Sequence, residues 1–223
     1  MIPWEHLDSA AIPDGGTLRL MRRGAELSIM SGATELMNSR LSGSEQALAT
    51  LTTARLKGRP KPQVLIGGLG MGFTLRAALA ELPKDAGLVV AELVPAVVAW
   101  ARGPMAALFD GCLDDPRVTI READVAAVIG EARGIFDAIL LDVDNGPGGL
   151  NRDANDRLYS IGGLNAAKRA LKPGGVLAVW SGGRDDSFTR RLGSAGYVAE
   201  EVPVRATGGK RGARHVIWLA TPR

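Results

Sequence analysis

From Gln63 onward short apolar runs alternate with helical stretches, and that rhythm leaves few architectures open. Val64-Leu-Ile, Leu88-Val-Val-Ala, Val118-Thr-Ile, Phe136-Asp-Ala-Ile-Leu-Leu and Val176-Leu-Ala-Val-Trp read as strands. Phe73–Leu82, Pro95–Arg102, Val125–Ala132, Asp156–Leu171 and Ser187–Gly196 read as helices. The fourth run is hydrophobic almost throughout, as a parallel strand covered on both faces should be. Tyr197–Arg205 and His215–Ala220 break the rhythm, because only a Gly/Arg-rich loop separates them. That loop is too short for a helical crossover, so the last two strands are expected to run antiparallel.

Residues 1–60 have a different character. Thr17-Leu-Arg-Leu-Met and Glu26-Leu-Ser-Ile-Met flank Arg22-Arg-Gly-Ala and suggest a β-hairpin, and Glu45–Leu56 carries apolar residues at helical spacing. Gly58-Arg-Pro-Lys-Pro is turn chemistry and a boundary. The expected organisation is an N-terminal hairpin and helix extension over 1–60 and a ligand-binding domain over 61–223. The expected fold class is α/β: a Rossmann-like doubly wound sheet with an antiparallel C-terminal β-hairpin, preceded by a small N-terminal β-hairpin segment.

Composition removes several function classes. One cysteine, Cys112, excludes a disulfide framework and a cysteine-built metal site, and fits a reducing compartment. His6 and His215 are far apart in sequence, so no metal is expected. No run of about 20 apolar residues occurs, and the opening Met-Ile-Pro-Trp-Glu-His lacks a basic n-region, so neither a membrane span nor a leader is expected. The expected location is cytoplasmic. The net charge of +3 is too small to point to nucleic acid, and 4% aromatics give little for base stacking.

Gly68-Leu69-Gly70-Met71-Gly72 lies between the first strand of the alternation and its helix, where backbone N–H groups meet a ligand at a positive helix end. A dinucleotide fingerprint needs GxGxxG, and Phe73 stands at the third glycine position. An acid at the end of the next strand, about 20 residues on, suits a free ribose diol. That acid is Glu92, with Leu93 beside it. Asp124, followed by Val125, either accepts a hydrogen bond from an exocyclic amine or caps the next helix. Asp142, at the end of the fourth strand, either positions or deprotonates a nucleophile, or only orders the ligand or a turn. Asp144 and Asn145 follow it as substrate contacts or as a turn into Gly146-Pro147-Gly148, and Trp180 lines the pocket or packs. Lys210 and Arg211, in the last loop, meet an anionic substrate or sit at a solvated tip.

Several of these stretches occur in the order and spacing of a known family. From about Gln63 to Arg223 the chain resembles the AdoMet-dependent methyltransferase fold and, within it, the spermidine synthase family. The stretches are Val64-Leu-Ile-Gly-Gly-Leu-Gly-Met-Gly, Glu92-Leu-Val-Pro, Asp115-Pro-Arg-Val, Arg121-Glu-Ala-Asp, Leu140-Leu-Asp-Val-Asp-Asn and Lys168-Arg-Ala-Leu-Lys-Pro-Gly-Gly. Residues 17–60 loosely resemble that family's N-terminal β-segment. The resemblance implies an adenosyl sulfonium ligand on Gly68, Gly70, Gly72, Glu92 and Asp124.

Three departures bear on the reaction. The aminopropyltransferases resembling this chain carry Asp where Gly70 stands, Asp-x-x-Asp where Asp142-Val-Asp-Asn145 stands, and Tyr-His near Gly43-Ser44. Loss of the acid at Gly70 favours a ligand that keeps its α-carboxylate. The expected activity is therefore methyl transfer from S-adenosyl-L-methionine to a small molecule. The alternatives are a polyamine aminopropyltransferase using decarboxylated AdoMet and a non-catalytic adenosyl-binding protein, with an RNA methyltransferase resting on the basic C-terminal half. An uncovered N-terminal hairpin is marginal alone, so a homodimer is expected.

Overall fold

The computed structural model describes residues 2–13, 15–143, 146–147, 157–209 and 212–223. Four antiparallel strands open the chain in the order β1-β2-β3-β4: Glu5–Ala11, Thr17–Arg23, Glu26–Ser31 and Thr34–Asn38. The expected hairpin is β2 and β3, joined in the register Leu18↔Ser31 to Arg23↔Glu26. The outer strands β1 and β4 extend it. Helix α1 (Gly43–Ala54) follows.

The second sheet has seven strands in the order β10-β11-β9-β8-β5-β6-β7. These are β5 (Gln63–Gly67), β6 (Gly87–Glu92), β7 (Val118–Glu122), β8 (Phe136–Leu141), β9 (Leu171–Ser181), β10 (Tyr197–Arg205) and β11 (Arg214–Pro222). β5 to β9 pair in parallel, and β11 runs antiparallel to both β9 and β10. The connecting helices are α2 (Phe73–Glu81), α3 (Pro95–Arg102), α4 (Ala106–Phe109), α5 (Val125–Glu131), α6 (Ile161–Ala170) and α7 (Asp186–Ser194). The α/β class, the doubly wound sheet and the reversed C-terminal strand are as the alternation implied. No described helix is long and apolar enough to cross a membrane.

The period of two along each strand divides the core between the faces of this sheet. Val64, Ile66, Val90, Leu140, Ala178 and Ile217 face one way, with Leu75 of α2, Val97 of α3 and Leu48 of α1. Leu65, Ile139, Leu177, Val179 and Trp218 face the other, with Val128 of α5, Leu164 of α6 and Phe188 of α7. The small sheet adds Leu18, Leu20, Leu27 and Ile29 to the first face, so it stands over the carboxyl ends of the parallel strands near α2 and α3. Trp218, wholly buried, donates Nε1–H to Thr189 Oγ1 at 2.9 Å and meets Phe188 edge-on, which satisfies its one polar atom.

One buried charge fastens the segment before β5 to this sheet. Asp137 is 3% exposed near the start of β8. Its Oδ1 accepts from Arg59 Nη1 at 2.9 Å, and its Oδ2 accepts from Lys172 Nζ at 2.7 Å and Gln63 N–H at 2.8 Å. Burial works against its ionisation, but Lys172, the Gln63 N–H and Arg59 outweigh it and hold the carboxyl below its ordinary value of 3.8. A carboxylate whose folded value is depressed contributes stability that is present above the unfolded value and lost as pH falls through the folded one. Asp137→Asn is therefore expected to lower unfolding free energy at pH 7 by about 2 kcal/mol, less than a wholly buried pair because Arg59 and Lys172 keep contact with water. Urea titrations below pH 4 should show the deficit shrinking, because the parent alone loses this contribution there.

Candidate functional site

The site is built at the carboxyl ends of β5, β6 and β8, where an open α/β sheet leaves room for ligands. The turn from β5 into α2 holds Gly68, Gly70 and Gly72 at φ +88°, +51° and +78°. A Cβ on Gly68 would stand 2.4 Å from the Asp142 carbonyl oxygen, so the backbone passes this close only without a side chain. Leu69 and Met71 turn inward and are buried, which leaves the glycine backbone toward the cleft.

Glu92 is 8% exposed at the end of β6. Its Oε2 accepts the Leu69 N–H at 2.9 Å and its Oε1 the Val94 N–H at 2.9 Å. Burial raises its carboxyl above the usual range, opposed by N–H groups of Val94, Leu69, Gly70 and Leu93. Two oxygens offer about four lone-pair sites, and the Leu69 and Val94 N–H groups make its two hydrogen bonds, so the carboxylate keeps capacity for a pair of hydroxyls. Asp124 caps α5 by accepting the Ala126 N–H at 2.8 Å, and it also lines the cleft. The two readings of Asp124 are thus compatible in space.

Asp142 lies one residue past β8, with its N–H on the Gly67 carbonyl at 3.0 Å. Thr74 Oγ1, in the first turn of α2, donates to Asp142 Oδ2 at 2.6 Å and lies 3.3 Å from the Glu45 carbonyl oxygen. Withdrawal of the Asp142 carboxyl from water and the nearby Glu45 charge push it up to about 7, against the Thr74 hydrogen bond.

Two connected spaces meet at Asp142. A cleft of about 250 Å³ is lined by Gly68, Gly70, Glu92, Leu93, Asp124, Val125 and Asp142, and roofed by the small sheet through Leu18, Ile29, Leu36 and Met37. A cavity of about 80 Å³ adjoins it, lined by Leu69, Gly70, Met71, Gly72, Asp142, Trp180, Glu45 and Met37. Leu36, Met37, Gly70 and Asp142 belong to both. Among the described lining residues the charged ones are Glu45, Glu92, Asp124 and Asp142, and none is Lys or Arg.

The structure therefore brings together every expected cofactor-side residue, together with Asp142 and Trp180. Asp144, Asn145, Lys210 and Arg211 lie outside the described residues. Sequence reasoning missed Met37, Glu45, Thr74 and the placement of His215. Glu45 reads as an ordinary first-turn acid of α1, and His215 as a strand residue. Instead His215 Nδ1 lies 2.9 Å from Ser44 Oγ, Ser44 Oγ donates to Glu45 Oε2 at 2.7 Å, and the His215 ring packs edge-on against Trp180. No cluster of His, Cys, Asp and Glu among the described residues is arranged to hold a metal ion.

No family model matches the chain. It is 32% identical over 154 residues to polyamine aminopropyltransferase 1 of Streptomyces coelicolor, covering 65% of this chain and 28% of that protein. It is 34% identical over 124 residues to the polyamine aminopropyltransferase of Nitrosomonas europaea, covering 55% of this chain and 35% of the relative. The chain thus matches about a third or less of the length of these two relatives. Among solved structures, spermidine synthase from Thermotoga maritima superposes with a TM-score of 0.76 at 19% identity, over 98% of this chain and 73% of that one. A spermidine synthase in complex with the transition state analogue AdoDATO gives 0.75 at 19% identity, over 98% and 72%.

These relatives correct the expectation of methyl transfer from AdoMet: the proteins this chain resembles are aminopropyltransferases. The expectation rested on Gly70 lacking an acid, on Asn145 standing where a second acid is found and on the missing Tyr-His pair; at Gly70 the structure shows a crowded turn. A Cβ there would stand 3.0 Å from Met37 Sδ, on a backbone at φ +51°. Met37 packs over the turn, so a side chain at this position would require the Met37 thioether to shift, on a backbone already in the left-handed region. In sequence the chain is similar to polyamine aminopropyltransferases, and in fold it is spermidine synthase-like.

Proposed function

We propose that this chain transfers an aminopropyl group from decarboxylated AdoMet to a small amine. The observation that carries this reading is the charge of the two joined spaces. Their described walls hold four carboxylates, Glu45, Glu92, Asp124 and Asp142, and no Lys or Arg. A donor with an α-carboxylate would enter like charge with no described cation to meet it. A donor carrying a sulfonium and an ammonium, and an acceptor that is itself a cation, both gain from such walls.

In this reading Glu92 holds the ribose hydroxyls, Asp124 the exocyclic amine of adenine, and the glycine turn the body of the nucleoside. The donor supplies an activated carbon, since its sulfonium leaves as a neutral thioether with the C–S electron pair. Asp142 stands where the two spaces meet. With Oδ2 held by Thr74, it aligns the attacking amine and accepts the proton released as the new C–N bond forms. A carboxyl raised to about 7 is matched to that transfer near neutral pH.

The test is turnover followed by mass spectrometry. Purified chain with decarboxylated AdoMet and 1,4-diaminobutane should yield the acceptor lengthened by one aminopropyl unit, and AdoMet in place of the donor should yield no methylated amine. Absence of the lengthened product with every short diamine overturns the reading. Asp142→Asn is expected to lower kcat by about 100-fold or more while donor affinity, followed by calorimetry, stays near parental.

Thr74→Val removes a hydrogen bond that favours the ionised form of Asp142, so its pKa rises. Because the rate follows ionised Asp142, the acidic limb of kcat/KM should move to higher pH. A limb that stays in place in this variant would detach the pH dependence from Asp142.

A further inference from the structure

The small sheet that roofs the cleft is tethered to the seven-stranded domain at one polar point. Trp100, 2% exposed in the last turn of α3, donates its indole N–H to Asp8 Oδ2 at 2.7 Å. Among the described residues no other hydrogen bond or ion pair joins β1–β4 to that domain. Leu18, Leu20, Leu27 and Ile29 hold the roof otherwise, through apolar contact alone.

The local sequence aims Asp8 at this contact. β1 is an edge strand beside β2 and is largely exposed. Its register shifts between His6 and Asp8, so Leu7 is skipped and Asp8 stands opposite the wholly buried Leu20. Residues directly opposite in an antiparallel pair project to the same face, so the bulge turns a carboxylate inward to α3. Ala10, opposite Leu18, continues that face, and Ile12 follows it by alternation. The Trp100 N–H, and then the Ser9 N–H, hold the Asp8 carboxyl below its ordinary value of 3.8, so the indole meets a charged acceptor.

Both ends of the tether reach the cleft. Val97, three residues before Trp100 on the same side of α3, lines it, and Glu92 holds the Val94 N–H at the entrance to that helix. On the roof, Leu36 and Met37 line the cleft and the smaller cavity alike, whereas Ile12 and Leu18, from the β1–β2 hairpin, line the cleft alone. The order β1-β2-β3-β4 therefore runs from the outer, nucleoside end of the cleft to the junction at Asp142.

Resting on the reading that the cleft takes an adenosyl donor, we propose that Trp100 is a positioning residue for donor binding. Through Asp8 it holds the β1 edge of the roof down over the nucleoside, and release of this contact opens the outer end of the cleft. The tether thereby sets how long the nucleoside stays bound.

The experiment is a double-mutant cycle read on dissociation. Isotopically labelled decarboxylated AdoMet and 5′-methylthioadenosine, the neutral thioether left after transfer, are chased with excess unlabelled ligand from the parent, Asp8→Ala, Trp100→Phe and the double variant. Each single change should speed release about fivefold, as loss of one hydrogen bond implies, and the double variant should release no faster than either. Asp8→Asn, which keeps a carbonyl oxygen for the indole N–H, should stay within about twofold of the parent. The effect should fall on the donor, with the KM for 1,4-diaminobutane moving less than about twofold. Trp100→Phe leaves the Asp8 charge on the edge strand, so a role of that charge in blocking edge pairing would not register in it. A parent that binds neither probe sinks the donor-site reading itself. A parent that binds both, with unchanged release from Asp8→Ala, overturns this inference alone. Effects that multiply to about 25-fold in the double variant would mean that the two side chains act separately, and would overturn it as well.

Discussion

The buried carboxylate of Glu92 holds two turns at once, and the site depends on that clasp. One oxygen takes the N–H of Leu69 from the turn after β5, and the other takes the N–H of Val94 at the entrance to α3. Two loops that leave neighbouring parallel strands are thereby fixed to each other at the edge of the sheet. The cost of withdrawing a charge from water is partly offset by N–H donors rather than by a cation, so the carboxylate stays open to further donors. The conformation of the glycine turn, the approach of Gly68 to Asp142 and the shape of the cleft all follow from this fixed edge.

Strand β8 shows how one element serves two purposes. Asp137, near its start, is surrounded by Arg59, Lys172 and a backbone N–H and is held ionised. Asp142, just past its end, meets a hydroxyl and another carboxylate, and burial there makes it hard to ionise. The same residue type is a structural anchor at one end and a titratable group at the other. The four intervening residues, Ala138 to Leu141, are buried and alternate between the two faces of the core, so they separate the two ends.

Much of the fold was legible because parallel strands leave a strong local signal. β5, β6, β8 and β9 are apolar on both faces, and the loop between β10 and β11 is too short for any crossover. The small sheet was only half legible. β2 and β3 alternate toward the core, whereas β1 is largely exposed and β4 has a single buried residue, so neither carries a periodic signal. On the site, Glu92, Asp124 and Asp142 could be placed in the cleft because each stands at or within two residues of a strand's carboxyl end. Glu45 and His215 could not, since their relation to Asp142 arises from packing across α1, β9 and β11. Gly70 misled because its surroundings are also non-local: Met37, which packs against it, lies far upstream in the chain and is unseen by any local pattern.

The chain bears a net charge of +3 yet lines its cleft with carboxylates. At physiological ionic strength charges are screened beyond about 8 Å, so the overall positive charge has little reach. A small cation diffusing nearby therefore responds first to the mouth it approaches and only weakly to the whole molecule. Between low-dielectric walls the field of the four acids is concentrated, which makes the cleft a local funnel on a surface that is otherwise close to neutral in its effect.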